Sequence, residues 1–166
     1  MGIHHARGGR LMLALTQGLM SLGASSGGGG GEILPVSFAN SFAWDAALNA
    51  TTTNMRDGLS TNGFASANVS NEFVRADLGS AQSVSKVGVA GGSFSQGGWG
   101  PVSPYLNGRL IEWSADLSSW TTVATISGVN DTGTLFEFSF TPVRARYWRI
   151  FMANGYVATS EFRLYS

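Results

Sequence analysis

The residue types that could do chemistry in this 166-residue chain are few, and their spacing separates catalysis from recognition. No cysteine is present, and the two histidines, His4 and His5, stand side by side near the start. From residue 32 onward there is thus no imidazole to complete a nucleophile–imidazole–acid set or a histidine-bearing catalytic metal centre. Ten carboxylates remain. A close pair could in principle cleave a glycoside by acid–base action. Nine of them, Asp45, Asp57, Glu72, Asp77, Glu112, Asp116, Asp131, Glu137 and Glu161, instead fall mainly in turns or on strand faces, with no paired motif. The sequence predicts a protein that is not an enzyme. The stretch from Gly91 to Gly108 carries another chemistry, with Phe94, Gln96, Trp99, Tyr105 and Asn107 spread among glycines and prolines. Aromatic faces beside a few fixed amide or hydroxyl groups are the parts of a sugar site. A loop of that length in a compact domain is usually functional or covered by a partner. Trp99, Tyr105 and Asn107 are therefore candidate ligand contacts, and Arg109 at the loop's exit could add hydrogen bonds.

Such a loop needs a rigid scaffold, and the remaining pattern is that of β-strands. From Glu32 onward, apolar residues recur with period two or in short runs, with Gly, Pro, Asn and Asp between them. The candidate strands are Ile33–Phe38, Phe73–Leu78, Val84–Ala90, Arg109–Ser114, Thr121–Ile126, Leu135–Thr141, Tyr147–Met152 and Glu161–Tyr165. Phe136, Phe138 and Phe140 alternate most clearly and share one face. About eight short strands with separate turns predict an all-β sandwich or jelly roll. Residues 32–166 are long enough to bury a core without disulfides. Formal net charge is zero and charged residues make up 12% of the chain, about half the share of roughly 25% in ordinary globular domains. No basic stripe is visible, which excludes a phosphate-neutralising surface for nucleic acid.

Residues 1–31 differ in kind from the rest of the chain. Leu11, Leu15, Leu19 and Leu22 fall at helical spacing, and Gly27 to Gly31 form an unbroken linker. The apolar stretch is shorter than the roughly 20 residues of a membrane span. A basic start before an apolar run has the order of a secretory signal, but Thr16, Gln17 and Gly18 interrupt it. A short helix of this length is marginal alone in water, so its leucines require a partner surface. The segment reads as an anchor that docks the domain 32–166 into a larger homo- or hetero-oligomeric assembly. Low charge suits such a setting, where solubility rests less on surface charge.

Small motifs appear in a specific order along the domain. Asp57-Gly58 is followed by Phe64. Then come Asp77-Leu78-Gly79, Val84-Ser85-Lys86-Val87-Gly88-Val89 and Glu112-Trp113-Ser114-Ala115-Asp116-Leu117-Ser118-Ser119-Trp120. Ala145-Arg146-Tyr147-Trp148-Arg149-Ile150 and a closing Ser160-Glu161-Phe162 complete the series. The series resembles the discoidin, or coagulation-factor C-type, domain family, a galactose-binding-like sandwich that includes many bacterial carbohydrate-binding modules. The resemblance covers most of residues 33–166 and implies a discoidin-like jelly-roll β-sandwich. It also implies a structural Ca²⁺ under the first loops, held by Asp57, Asn62 and Glu161 with backbone carbonyls; oxygen-only donors suit that ion. The same resemblance places Trp44 and Tyr156 in loops at the binding end. Arg146 and Arg149 read as structural ion-pair partners, and Trp120 as a core residue.

Three functions fit these features. The first is a non-catalytic virion protein of a phage tail or tail fibre, assembled in the bacterial cytoplasm, whose domain binds host-surface carbohydrate and whose N-terminal segment docks to other virion proteins. The second is a capsid or tail decoration protein whose sandwich only makes subunit contacts. The third is a secreted carbohydrate-binding module.

Overall fold

The structure is a computed structural model that describes residues 30–166. The leucine-bearing segment, with Leu11, Leu15, Leu19 and Leu22, lies outside the described residues. Eleven strands follow one another: β1 Glu32–Ile33, β2 Ser37–Asn40, β3 Phe64–Ala65, β4 Ser70–Ala90, β5 Ser93–Phe94, β6 Gly100–Pro101, β7 Leu110–Ser114, β8 Thr121–Thr125, β9 Leu135–Asn154, β10 Ala158–Thr159 and β11 Glu161–Tyr165. The main sheet has the order β1-β11-β4-β9-β7-β8, with β2 also paired to β4. All of these pairs are antiparallel. Among the described residues no helix is long and apolar enough to cross a membrane.

Two long strands turn this single ladder into a sandwich. The N-terminal half of β4 pairs with β2 and with the C-terminal half of β9, which also carries β7. The C-terminal half of β4 pairs with β11 and with the N-terminal half of β9. Buried residues from both halves, among them Val74, Ala76, Val87, Val89, Trp148, Ile150 and Phe162, form one cluster. The halves therefore face each other across a common core. Phe38 of one layer meets Phe162 of the other at 6.0 Å, and Phe140 stacks on Trp148 at 5.5 Å.

The separate strands predicted at 73–78 and 84–90 are thus one strand, and so are those at 135–141 and 147–152. Asp77-Leu78-Gly79 marks a corner, not a strand end. Gly79 takes φ +75°, its N–H donates to Asp77 Oδ1 at 2.7 Å, and the register with β9 shifts between Asp77 and Gln82. Glycine meets no Cβ penalty there. A second shift, between Val84 and Lys86, changes the parity of burial. Val74, Ala76, Leu78 and Val84 are buried at even positions, Val87 and Val89 at odd ones. An extra residue exchanges the two faces of a strand, so the bulge keeps apolar side chains inward as the strand crosses layers. The run predicted at 33–38 divides around Pro35, which has no N–H for the ladder.

The outer face of the β2-β4-β9-β7-β8 layer holds the arginines. Arg146 Nε and Nη2 donate to the two oxygens of Asp77 at 2.8 and 2.9 Å. Arg149 Nε donates to Glu112 Oε2 at 2.7 Å, and Thr122 Oγ1 donates to Glu112 Oε1 at 3.1 Å. Trp120, predicted to be core, instead lies half-buried over the Arg149 guanidinium, 4.0 Å from its ring centroid. The turn before it, with Leu117 at φ +70°, delivers the indole to the outer face.

The hydrogen bond from Arg146 holds the Asp77 carboxyl below the usual carboxylate range, against an opposing effect of burial and with help from the Gly79 N–H. Above that range Asp77 is ionised in both folded and unfolded chains, and the bridge contributes its full stabilisation. On acidification the unfolded chain takes up the proton first, so this contribution declines as pH falls through the usual carboxylate value and is lost below the folded one. Asp77→Asn should lower stability at neutral pH and flatten the loss between about pH 5 and pH 3. Denaturant unfolding at several pH values measures both, and an unchanged acid slope would refute the assignment.

Candidate ligand-binding site

At one end of the sandwich the chain between β4 and β7 is not a plain loop. It contains the β5–β6 pair, a 3-10 turn at Gln96–Gly98 and another at Ser103–Tyr105. These place Trp99 and Tyr105 over a second small core of Leu48, Ala65, Phe94, Val102 and Ala158. Trp44, from the segment after β2, and Tyr156, from the turn between β9 and β10, join them. Ring centroids lie 5.3 Å apart for Trp44–Trp99, 5.2 Å for Trp99–Tyr105, 5.4 Å for Trp99–Tyr156 and 5.7 Å for Tyr105–Tyr156. All four contacts are edge-to-face, the arrangement that the ring quadrupoles favour. The rings and Gly98 line a cavity of about 200 Å³ with no charged side chain in its wall. The four aromatics proposed from sequence are thus brought together.

Arg109 and Asn107 are placed otherwise. Arg109 is buried, and its guanidinium donates to Tyr156 O at 2.8 and 2.6 Å, to Pro104 O at 3.1 Å and to Asn107 O at 2.6 Å. It joins the Tyr156 turn to the Tyr105 loop and does not line the cavity. Burial lowers its pKa from the ordinary arginine value. The Asn107 amide is occupied in the same way, donating to Ser103 O and Val129 O and accepting from Val129 N–H. Neither lines the cavity, and the place of both candidates in the fold is that of positioning residues. The reason is that a folded-back loop leaves buried carbonyls that need donors. Sequence reasoning missed Asp131 in this role. Its Oδ1 accepts from Val102 N–H at 3.0 Å and Ser103 N–H at 2.7 Å, and its Oδ2 accepts from Ser103 Oγ at 2.6 Å. Nothing in its local motif, Asn130-Asp131, points to residues 102 and 103. Two buried polar atoms of the aromatic loop, Gln96 Oε1 and Trp99 Nε1, have no partner among the described residues. An internal water would satisfy them.

The second group of candidates, Asp57, Asn62 and Glu161, also converges. Asp57 Oδ2 accepts from Asn62 Nδ2 at 3.1 Å, and Glu161 Oε1 accepts from Gly58 N–H at 2.6 Å. Glu161 is buried, which pushes its carboxyl above the usual carboxylate range; Arg163 and the Gly58 N–H oppose this, and the Asp57 charge adds to it. Asn62 Oδ1 is buried without a donor among the described residues. Among the described residues there is no group of three or more acidic, His or Cys side chains that could hold a metal ion. Two neighbouring carboxylates and an orphaned amide oxygen nevertheless fit a hard cation, which takes oxygen donors, amides and carbonyls included.

Residues 54–150 match the family described as NedA-like, galactose-binding domain. No curated protein matches the chain. Among solved structures, the chain is similar to the CBM32 of AlyQ in complex with 4,5-unsaturated mannuronic acid. Identity is 25%, TM-score 0.60, and the match covers 81% of this chain and 98% of that one. It is also similar to CpGH89CBM32-5 from Clostridium perfringens, in complex with GalNAc-β-1,3-galactose, at 12% identity and TM-score 0.62, covering 82% and 100%. A third is chitosan-binding module 2 of a chitosanase/glucanase from Paenibacillus sp. IK-5, in complex with chitotriose, at 24% identity and TM-score 0.57, covering 81% and 98%.

Two glycines separate ring position from backbone strain. Gly97, at φ +60°, would place a Cβ 2.7 Å from Trp44 Cδ1 and Nε1, whereas Gly98, at φ +71°, has nothing within 4 Å. Alanine at either should cost about 1–2 kcal/mol for the left-handed backbone. Only Gly97→Ala should also displace the Trp44 indole, whose Nε1 donates to Gly97 O at 3.1 Å. Near-ultraviolet circular dichroism should therefore change for Gly97→Ala and stay close to wild type for Gly98→Ala.

Proposed function

The chain belongs to the NedA-like, galactose-binding domain family, and on that premise we propose that residues 32–166 form a non-catalytic module that binds a neutral glycan. The observation that carries this reading is the convergence of Trp44, Trp99, Tyr105 and Tyr156, from separate segments, around one uncharged cavity. Ring faces would take the apolar face of a sugar, and the tyrosine hydroxyls would take its hydroxyls. Arg109, Asn107 and Asp131 hold the loops that present the rings, which limits the ordering cost on binding. The similar modules solved with sugars support a glycan over another ligand class. A wall without a free cation favours a neutral sugar over an acidic one. Display on a phage tail or tail fibre, docked through residues 1–31 to bind a host-surface glycan, extends this proposal. It is supported by the glycine linker, the absence of cysteine and the low charge of the chain.

The test is binding to an array of neutral glycans, followed by calorimetry on the ligands found. Trp99→Ala should lower affinity by at least tenfold, about 1.4 kcal/mol, without unfolding the sandwich. Wild-type protein that binds no glycan, with rings that are instead protected by a neighbouring subunit, would favour the subunit-contact reading.

A Ca²⁺ held by Asp57, Asn62 and Glu161 is the second part of the proposal. Bound there, it would offset the repulsion between the two carboxylates and brace the loop before β3 against β11. Millimolar Ca²⁺ should raise the melting temperature of metal-free wild type, and EDTA should reverse the rise. Glu161→Gln should lose the response. An identical melting temperature with Ca²⁺ and with EDTA overturns the metal claim.

A further inference from the structure

Beside the aromatic cavity lies a larger one of about 460 Å³, lined by Asn40, Ser41, Phe42, Ala43, Ala46 and Asn49. One segment, residues 42–46, borders both: Phe42, Ala43 and Ala46 line the larger cavity, and Trp44 the smaller. The segment is pinned to residues 65–67. Trp44 N–H donates to Ala65 O at 2.9 Å, Ala67 N–H donates to Phe42 O at 2.8 Å, and Ala43 bridges to Ser66. In extended chain, alternate side chains share a side, so Phe42 and Trp44 project together about 7 Å apart along the backbone. Ala43, between them, packs on the core. Phe42 is 74% exposed and Trp44 47%.

A large ring so exposed, on a segment held by backbone bonds, is accessible to a ligand. The rim beside it is polar, uncharged and already ordered. Asn40 Nδ2 donates to Asn49 Oδ1 at 3.1 Å and to Ser41 O at 2.6 Å, and Asn49 Nδ2 donates to Ala46 O at 3.0 Å. An amide has two N–H groups and two carbonyl lone pairs, so these bonds leave Asn49 one of each for a sugar hydroxyl. Ring plus hydrogen-bonding polar group is also the composition of the first cavity; the two share no lining residue, but the 42–46 segment contributes to both walls.

We infer that the Phe42–Asn49 groove is a second sugar subsite, and that the ligand is a neutral oligosaccharide lying across residues 42–46, not a single sugar held at its end. This rests on the glycan reading of the aromatic cavity. The uncharged lining of the groove, and the 42–46 segment that it shares with that cavity, favour the same glycan chain as the occupant over a separate protein.

The experiment uses an array of neutral oligosaccharides graded from single sugars to hexasaccharides, with calorimetry on those that bind. Affinity should rise from the single sugar to at least the trisaccharide. Phe42→Ala should remove that rise, weakening the longer glycans roughly tenfold, about 1.4 kcal/mol, while leaving the single sugar unchanged. Asn49→Ala should act in the same direction. Trp99→Ala should weaken every length alike. The exposure of Phe42 keeps its substitution from threatening the fold, which an unchanged melting temperature checks. Phe42→Ala with a wild-type length dependence overturns the second subsite and leaves the first standing. Wild type that binds none of the glycans overturns both. A change of oligomeric state in Phe42→Ala, with glycan affinity unaltered, makes the groove a protein contact and also overturns the inference.

Discussion

The antiparallel ladder between β4 and β9 runs through both layers of the sandwich, and the other strands of the main sheet attach to it directly or through a neighbour. Its constraint is geometric. A strand that passes from one layer to the other must turn a corner and still present apolar side chains to the same interior. The two register shifts satisfy this, one at Gly79 where φ is positive, the other before Val87 where the parity of burial changes. Without them, half of the apolar positions of β4 would face solvent in one layer. The bidentate Arg146–Asp77 pair lies across the first corner and ties β9 to β4 there.

The loop end inherits its precision from that frame. β3, β10 and the Phe94 ring form a small floor beneath the rings. Above the floor, the rings are placed by polar groups acting on backbone. Arg109 spans the Tyr156 turn and the Pro104–Asn107 segment, Asn107 spans Ser103 and Val129, and Asp131 receives the N–H groups of Val102 and Ser103. Such bonds satisfy carbonyls and amides that water cannot reach, and each would be costly to leave unmade. A loop rich in glycine becomes rigid through these side chains, and its aromatic groups gain fixed positions.

The low charge of the chain has a structural counterpart. Near the sandwich surface, carboxylates and arginines are largely spent on one another, as in Arg56–Glu32, Arg146–Asp77, Arg149–Glu112 and Arg163–Glu161. The two cavities at the loop end are lined by rings, amides, hydroxyls and small residues, with no charged side chain. The charged groups of the loop end, Arg109 and Asp131, are turned onto backbone, which leaves stacking and hydrogen bonding as the modes of recognition the cavities offer.

Much of the fold was legible in the sequence, because period-two alternation and turn residues are local signals. Phe136, Phe138 and Phe140 share a face as their spacing implies, and the strands of the sandwich fall near the predicted runs. The aromatic residues that meet at the loop end could be named for their type and their place in glycine-rich segments. What the sequence alone left open is every relation between distant positions. Whether two strand runs are one bent strand depends on pairing with a partner far along the chain, as at Asp77 and Tyr147. Whether Arg109 and Asn107 face a ligand or a backbone carbonyl depends on how the loop folds back, and Asp131 has no local signature of its task. Phe42 is exposed while Phe38 packs on the core, because the ladder with β4 ends between them and the 42–46 segment leaves the sheet. The amino-acid sequence by itself determined the β-class, the family and the supply of aromatic side chains, since these follow from local periodicity, motif order and composition. Only the tertiary structure decided which of those side chains meet, because contact is set by long-range pairing and by the hydrogen-bond needs of buried backbone.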